Sequence, residues 1–376
     1  MTNTYRLVLI GFGNVGMGLA QTLVTRNDWL ISRLNVDLKI VAVVDLLRGS
    51  VYDPEGIAPE KLIKAVQDGQ KLYETGSPQY EGDAQQAIRE IPCDIVVEIT
   101  PTNLKTGEPS LTHMRLAMES GKHVVTTNKG AVALHFSDLA ELADEQMVQM
   151  GLEGTVLSGT PAVHLGQEVL EAAGIQRLEG IFNGTCNYIL EKMHEGVDYQ
   201  QALHQAQDLG YAETDPTGDV EGHDVVGKLV ILAHLLFDVA LSPEDITCEG
   251  ISRLTPGQIH EASEKGNQWK LIGKLELENG RVRGSVEPVA LPLSHPLSSI
   301  KGATNAITYV TDLLGAVTLA GPGAGRMETG FAILSDILAI DRTQRMLQFY
   351  GRSVSEAESR TERAHHWQGR SRRKVR

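Results

Sequence analysis

Leu7-Val8-Leu9-Ile10-Gly11-Phe12-Gly13-Asn14-Val15-Gly16 is a short apolar run that ends in glycine and opens a G-x-G-x-x-G pattern. Four branched aliphatic residues in a row predict a strand buried on both faces, and Val15–Val24 predicts the helix that follows it. In that setting each glycine has its own task. Gly11 permits a tight turn, Gly13 lets backbone approach a pyrophosphate, and Gly16 allows helix and strand to pack closely. The helix start then offers unpaired N–H groups and a positive dipole end to phosphate. Gly11, Phe12, Gly13, Asn14, Val15 and Gly16 therefore read as a dinucleotide cradle.

The pattern continues outward from there. Ile40-Val41-Ala42-Val43-Val44, Asp94–Ile99 and His123-Val124-Val125 are further buried-strand signals, separated by helical stretches such as Pro109–Glu119 and Ala131–Gln149. Strands alternating with amphipathic helices predict a doubly wound α/β domain of the Rossmann type over residues 1–151. Asp45 ends the second strand, where a carboxylate would bind a ribose 2′-hydroxyl and favour NAD. Arg48 would instead hold the 2′-phosphate of NADP, or is a solvated loop charge, and the choice stays open. Thr100, just past the Asp94–Ile99 strand, is assigned to the same cofactor site.

After Met150 the rhythm changes. Gly, Thr and Pro crowd Glu153–Pro161, and Trp269–Leu277 with Val282–Ala290 reads as a hairpin turned at Glu278–Gly280. A second, α+β domain is expected over residues 152–310, and residues 311–340 are expected to return to the first domain through a helix near Gly323–Ile340. Residues 341–376 carry ten Arg/Lys against four Asp/Glu, end in Arg372-Arg373-Lys374-Val375-Arg376, and are expected as a flexible basic tail.

Composition narrows the function classes. A net charge of −14 argues against nucleic-acid binding, which calls for a basic face. No apolar run approaches the ~20 residues of a membrane helix, and the polar Thr2, Asn3 and Thr4 lead straight into a strand without a secretory signal. Cys93, Cys186 and Cys248 are odd in number and far apart, which suggests no disulfide framework and fits a reducing cytoplasm.

The chemistry concentrates in Gly210–Lys228. Asp215-Pro216 and Thr217-Gly218 make a turn, which leaves Glu213 and Asp219 in a loop, with Asp219 or Glu221 available to cap the next helix. That helix is apolar almost all round, so it should be buried. Asp224 and Lys228 lie four apart on it and share a face. A lysine desolvated there has its pKa lowered toward a value useful for proton transfer, and a neighbouring carboxylate orients it. An ordinary surface ion pair is the plainer alternative, and the dry helix and dense carboxylate loop weigh against it. His223 reads as a structural histidine and Cys186 as a packing residue.

Here the chain resembles a known family. Ala206-x₃-Gly210-Tyr211-Ala212…Asp215-Pro216-x₂-Asp219-Val220-x-Gly222-x-Asp224-x₃-Lys228 is similar to the signature of homoserine dehydrogenases. Gly11–Gly16, Thr127-Asn128-Lys129, Asn183–Leu190 and Gly321-Pro322-Gly323-Ala324-Gly325 agree in the same order. The resemblance implies interconversion of L-homoserine and L-aspartate 4-semialdehyde with NAD or NADP. It implies Lys228 as the proton-exchanging lysine, Lys129 as a second lysine at the junction of nicotinamide and substrate, and Asp224 beside them. Glu213 and Asp219 are implied for the substrate ammonium, Gly184 and Thr185 for the substrate loop, and Gly323 and Gly325 for the cofactor. Glu153 with the carbonyls of Val156, Ser158 and Thr160 is implied to hold sodium, where the residues alone suggest only a Gly/Thr turn. A homodimer built through the sheet of the second domain is implied as well. The C-terminal regulatory domain of many relatives is not expected here, because the 36 residues 341–376 are too few and too polar to form one. Two rivals remain at this level: another NAD(P)-dependent amino-acid dehydrogenase, and a nonenzymatic dinucleotide sensor.

Overall fold

The computed structural model describes the backbone of residues 2–371 and the side chains of residues 2–349. Strands β1 (Asn3–Ile10), β2 (Val36–Val44), β3 (Val51–Tyr52), β4 (Ile95–Glu98), β5 (His123–Thr126) and β6 (Met150–Gly151) form one sheet in the order β3-β2-β1-β4-β5-β6. All neighbours in it run parallel except the short edge strand β3, which is antiparallel to β2. The apolar run after Arg6 becomes the centre of this sheet, with Leu7, Val8 and Leu9 fully buried. The chain leaves β1 toward β2 on one side and returns to β4 on the other. The crevice where a dinucleotide would lie is therefore bounded by the carboxyl ends of β1 and β4.

The second sheet is built from β7 (Ile175–Ile181), β8 (Ile246–Cys248), β9 (Asn267–Glu278), β10 (Arg281–Pro292), β11 (Thr304–Thr311) and β12 (Gly315–Pro322), in the order β12-β11-β7-β9-β10-β8. Its pairs are antiparallel except β10 with β8. The β9–β10 hairpin turns on Asn279 and Gly280, both left-handed at φ 52° and 77°, as a two-residue turn matched to strand twist demands.

Two expectations need correction. The second sheet does not stop at residue 310: β12 extends it to Pro322, because Ala306, Ile307 and Thr308 pair with Ala320, Leu319 and Thr318. The return to the first sheet is made by the helix Arg326–Ser371, which also runs through the segment expected as a flexible tail. Its Asp341 is buried and accepts hydrogen bonds from the Asn3 amide (2.8 Å) and the Tyr5 hydroxyl (3.1 Å). Arg345, one turn on, donates to Asp341 and to the carbonyls of Leu34 and Asn35. Charge composition missed this anchor because only two of the residues involved decide it. The terminal basic run from Arg372 onward lies outside the described residues.

The returning helix crosses the Asn14–Trp29 helix at contact distance. A Cβ on Gly18 would stand 1.8 Å from the Arg326 carbonyl oxygen, and one on Gly330 would stand 2.3 Å from the Gly18 carbonyl carbon. Glycine on both helices lets Ile333, Leu334, Ile337 and Ile340 join Leu19 and Leu23 in one core.

Candidate active site

Two helix beginnings face each other at the site. Lys129 is the first residue of the helix Lys129–Glu145, which follows β5; Asn128 caps that helix by accepting from the Gly130 N–H (3.1 Å). The helix His223–Phe237 brings Asp224 in its first turn and Lys228 one turn later. The expected acidic cap is absent there. Gly222, at φ 85°, occupies the cap position without a side-chain bond, and Asp219 and Glu221 belong to the preceding short helix and its end. A side chain at residue 222 would press on Cys248 and Val286, which leaves the position to glycine.

Asp224 joins the two lysines. Its Oδ1 accepts from Lys129 Nζ at 2.6 Å and its Oδ2 from Lys228 Nζ at 2.7 Å. Lys228 is 7% exposed and also donates to the Phe182 carbonyl. Asn183 Nδ2 donates to Asp219 Oδ1 (2.7 Å) and to Asp224 Oδ2 (3.2 Å), while its Oδ1 caps the helix Gly184–His194 by accepting from the Cys186 N–H. Lys129, Asp219, Asp224 and Lys228 are thus brought into one cluster from distant parts of the chain.

The electrostatics separate the lysines. Burial lowers the Lys228 pKa, and the neighbouring Lys129 pushes the same way against the pull of Asp224. Lys129 moves in the opposite direction: Asp224 raises it, and burial opposes this. Burial disfavours the Asp224 charge, yet Lys228 and Lys129 together hold its carboxyl well below the usual range. Burial raises Asp219, with the Asn183 bond opposing.

The rest of the predicted substrate set is less uniform. The Thr185 hydroxyl donates to the Tyr211 carbonyl (2.7 Å), which ties the substrate loop to the carboxylate loop. A Cβ on Gly184 would meet the Ala303 carbonyl at 2.4 Å, so its glycine serves close packing. Cys186 is buried and its thiol donates to the Asp219 carbonyl, a structural contact. Glu213 is not drawn into the cluster. It is exposed, and among the described residues only its backbone carbonyl is bonded, by Gln207.

At the cofactor crevice Gly11 turns at φ 96°, and a Cβ there would stand 2.8 Å from the Ile99 carbonyl oxygen. Space for a Cβ on Gly13 is open, with nothing within 4 Å, which fits a loop that backbone offers to phosphate. Asp45 Oδ2 accepts from the Phe12 N–H (2.7 Å) and Oδ1 from Leu47 and Arg48 N–H. The carboxylate therefore joins the end of β2 to the glycine loop. The Arg48 guanidinium makes no hydrogen bond or ion pair among the described residues. Gly323 and Gly325 pack against their own neighbours, the Asn305 amide and the Glu328 carboxylate. Arg326, for which the sequence offers no reason, donates to the Asn14 side chain at 3.1 Å.

In the Glu153–Pro161 loop the Glu153 carboxylate is engaged, accepting from the Val163 (3.0 Å) and His164 (2.7 Å) N–H groups. It is therefore not a free ligand. The Thr160 carbonyl accepts from Ala162, whereas the buried Val156 and Ser158 carbonyls receive no hydrogen bond among the described residues. Leu157 and Ser158 are both left-handed, at φ 55° and 49°. These two carbonyls are the part of the expected set that fits a hard cation.

Sequence reading passed over Glu98. This wholly buried carboxylate accepts from the Ser110 hydroxyl (2.5 Å), the Thr126 hydroxyl (3.4 Å) and both the N–H and hydroxyl of Thr100, and it faces His113 Nδ1 at 3.4 Å. The available signal was a lone acid inside an otherwise apolar parallel strand.

A family profile described as "Homoserine dehydrogenase, NAD binding domain" matches residues 11–153, and one described as "Homoserine dehydrogenase" matches residues 161–338. The chain belongs to the homoserine dehydrogenase family. The NAD(+)-dependent homoserine dehydrogenase of Pseudomonas canavaninivorans is 44% identical over 340 residues, covering 90% of this chain and 97% of that protein. A homoserine dehydrogenase structure from Thiobacillus denitrificans superposes with a TM-score of 0.80 at 31% identity, over 92% of this chain and 75% of that one. A hyperthermophilic archaeal homoserine dehydrogenase mutant in complex with NADPH superposes with a TM-score of 0.78 at 26% identity, over 91% and 98% of the two chains. The enzyme is an NAD(P)-dependent oxidoreductase of amino-acid biosynthesis, which removes the dinucleotide-sensor reading and the reading as another amino-acid dehydrogenase. No helix among the described residues is long and apolar enough to cross a membrane.

Proposed function

We propose that Lys228 is the proton-transferring group in the interconversion of homoserine and aspartate 4-semialdehyde, and that Lys129 remains charged and stabilises the reacting oxygen. The bridge Lys129–Asp224–Lys228 carries this reading, because one carboxylate holds two amines whose pKa values are displaced in opposite directions. When bound, the nicotinamide supplies the hydride acceptor in one direction and the donor in the other. In homoserine oxidation the neutral Lys228 amine takes the hydroxyl proton while C4 loses hydride, leaving the aldehyde; in reduction the Lys228 ammonium returns the proton to oxygen. Lys129 lowers the energy of negative charge on that oxygen in either direction. Asp219 holds the substrate ammonium, with Glu213 as second partner and Gly184 and Thr185 lining the loop beside it.

The cofactor is held by Gly11–Gly16, Asp45, Thr100, Lys129, Gly323 and Gly325. Asp45 at the end of β2 supports NAD as the preferred form, since a second anion there repels a 2′-phosphate. Arg48, without a side-chain partner among the described residues, is the residue that would support NADP instead. Of the four residues expected to bind sodium, Glu153, Val156, Ser158 and Thr160, the Val156 and Ser158 carbonyls are the ones that would hold it. The enzyme works in the cytoplasm as a homodimer, in which the open edge and exposed Leu313 and Leu314 beside β12 become covered.

The deciding experiment is homoserine oxidation by the wild type and by Lys228→Ala, with NAD and NADP in parallel and with and without sodium. The variant should lose most of kcat while its cofactor affinity, read by fluorescence, barely moves. Near-normal turnover would refute the role of Lys228.

A further inference from the structure

The charged side chain buried deepest near the cofactor crevice touches neither lysine. Glu98 is the last residue of β4, and the parallel register places it beside Ile10, which precedes the glycine loop, and beside Thr126, which precedes the Thr127-Asn128-Lys129 turn. Its carboxylate oxygens accept from Thr100 and Ser110, the Thr126 hydroxyl lies 3.4 Å away, and His113 stands at the edge of the set. Glu98, Ser110 and Thr126 are wholly buried and His113 is 6% exposed. A carboxylate so enclosed is costly to bury unless its lone pairs are filled, and here hydroxyl and N–H donors fill them.

The network runs in one direction, toward Lys129. The Thr126 hydroxyl donates to the Glu98 carbonyl (2.7 Å) and accepts from the Asn128 N–H (3.0 Å). The Asn128 side-chain amide donates to the Thr100 carbonyl (3.2 Å), so the residue before Lys129 is bound to both residues that Glu98 holds. Its other end caps the helix that Lys129 begins. A second contact closes the arrangement: a Cβ on Gly130 would lie 2.2 Å from the Asn103 carbonyl oxygen, so the loop after Thr100 seats directly on that helix start.

We propose that Glu98 is a positioning residue for the reaction: its carboxylate fixes Thr100, its backbone carbonyl takes the Thr126 proton, these two residues fix Asn128, and Asn128 sets where Lys129 leaves the backbone to meet Asp224. Glu98 acts on the substrate through Lys129 and needs no contact with it. The inference rests on the reading of Lys129 as a working member of the site. An ångström of misplacement at such a group costs roughly 100-fold in rate even when the change lies away from the chemistry.

The test is a double-mutant cycle on kcat for homoserine oxidation. Glu98→Gln preserves shape and removes the charge that organises the hydroxyls; it should lower kcat by about tenfold or more. The same substitution in a Lys129→Ala background should cost less than about threefold, because the group it positions is gone. A merely structural role for Glu98 would lower both backgrounds by the same factor, and that result would overturn the proposal. Thr126→Val and Thr126→Ser provide the second arm and the substitute if Glu98→Gln does not fold. The valine variant should reproduce the loss and its dependence on Lys129, and the serine variant, which keeps the hydroxyl, should recover most of it. Equal activity of the two Thr126 variants also overturns the proposal. A wild type inert toward homoserine would instead defeat the underlying functional reading, so the two failures are distinguishable.

Discussion

Asp224→Asn is the most searching single perturbation of this site. The carboxylate accepts from Lys129, Lys228 and Asn183 at 2.6, 2.7 and 3.2 Å. The amide keeps the volume but offers one acceptor where there were two, and it turns an NH₂ group toward one of the amines. Removing one partner of a buried ion pair costs about 3–5 kcal/mol because the remaining charge is stranded; here two amines are stranded at once. Shedding a proton relieves part of that cost. Lys228, already lowered by burial and by Lys129, falls further without Asp224, and Lys129 loses the partner that raised it. The ascending limb of kcat/KM against pH for homoserine oxidation should therefore move to lower pH, since the neutral amine is the active form. At the pH optimum kcat should fall by about 100-fold, the scale on which positioned acid–base groups contribute. The assay is the absorbance of the reduced cofactor across a pH series. Stability gives an independent reading. The Asp224 carboxyl is held below its usual range in the folded state, so its stabilisation is present above an unfolded pKa of about 3.9 and is lost as pH falls through the folded value. The Tm gap between wild type and variant should thus be wide at neutral pH and close in strong acid. A limb that stays in place or moves upward, with kcat within threefold of wild type, would refute the bridge as the source of the lysine chemistry.

Three further outcomes are expected. Asp45→Asn retains an acceptor for the Phe12 N–H but loses the charge, so the KM for NAD should rise and that for NADP should fall, with a change of about tenfold in their ratio; initial rates with both cofactors measure it. Glu213→Gln should raise the homoserine KM and leave kcat nearly unchanged, and an unmoved KM would mean the ammonium binds Asp219 alone. Gly18→Ala sets a methyl group 1.8 Å from the Arg326 carbonyl oxygen and should cost about 1–3 kcal/mol by forcing the crossing helices apart; thermal melting reads this as a lower Tm.

What the sequence by itself determined was local. Leu7–Gly16 specifies a strand, a tight turn and a helix because burial and glycine conformational freedom act over a few residues. For the same reason the hairpin at Asn279 and Gly280, and the shared face of Asp224 and Lys228, are legible without coordinates. The family signature then named Lys129 from its neighbours alone. Only the tertiary structure could decide relations between residues far apart in the chain. The separation of 95 positions from Lys129 to Asp224 collapses to a 2.6 Å bond, which helps send the two lysine pKa values in opposite directions. Glu98 looks like a stray acid in an apolar strand until the sheet register sets it beside Thr126. The segment after Ile340 reads as a polar tail until Asp341 meets Asn3 and Tyr5. Periodicity reports which face of an element is apolar, whereas hydrogen-bond partners and charge states depend on which elements the packing brings together.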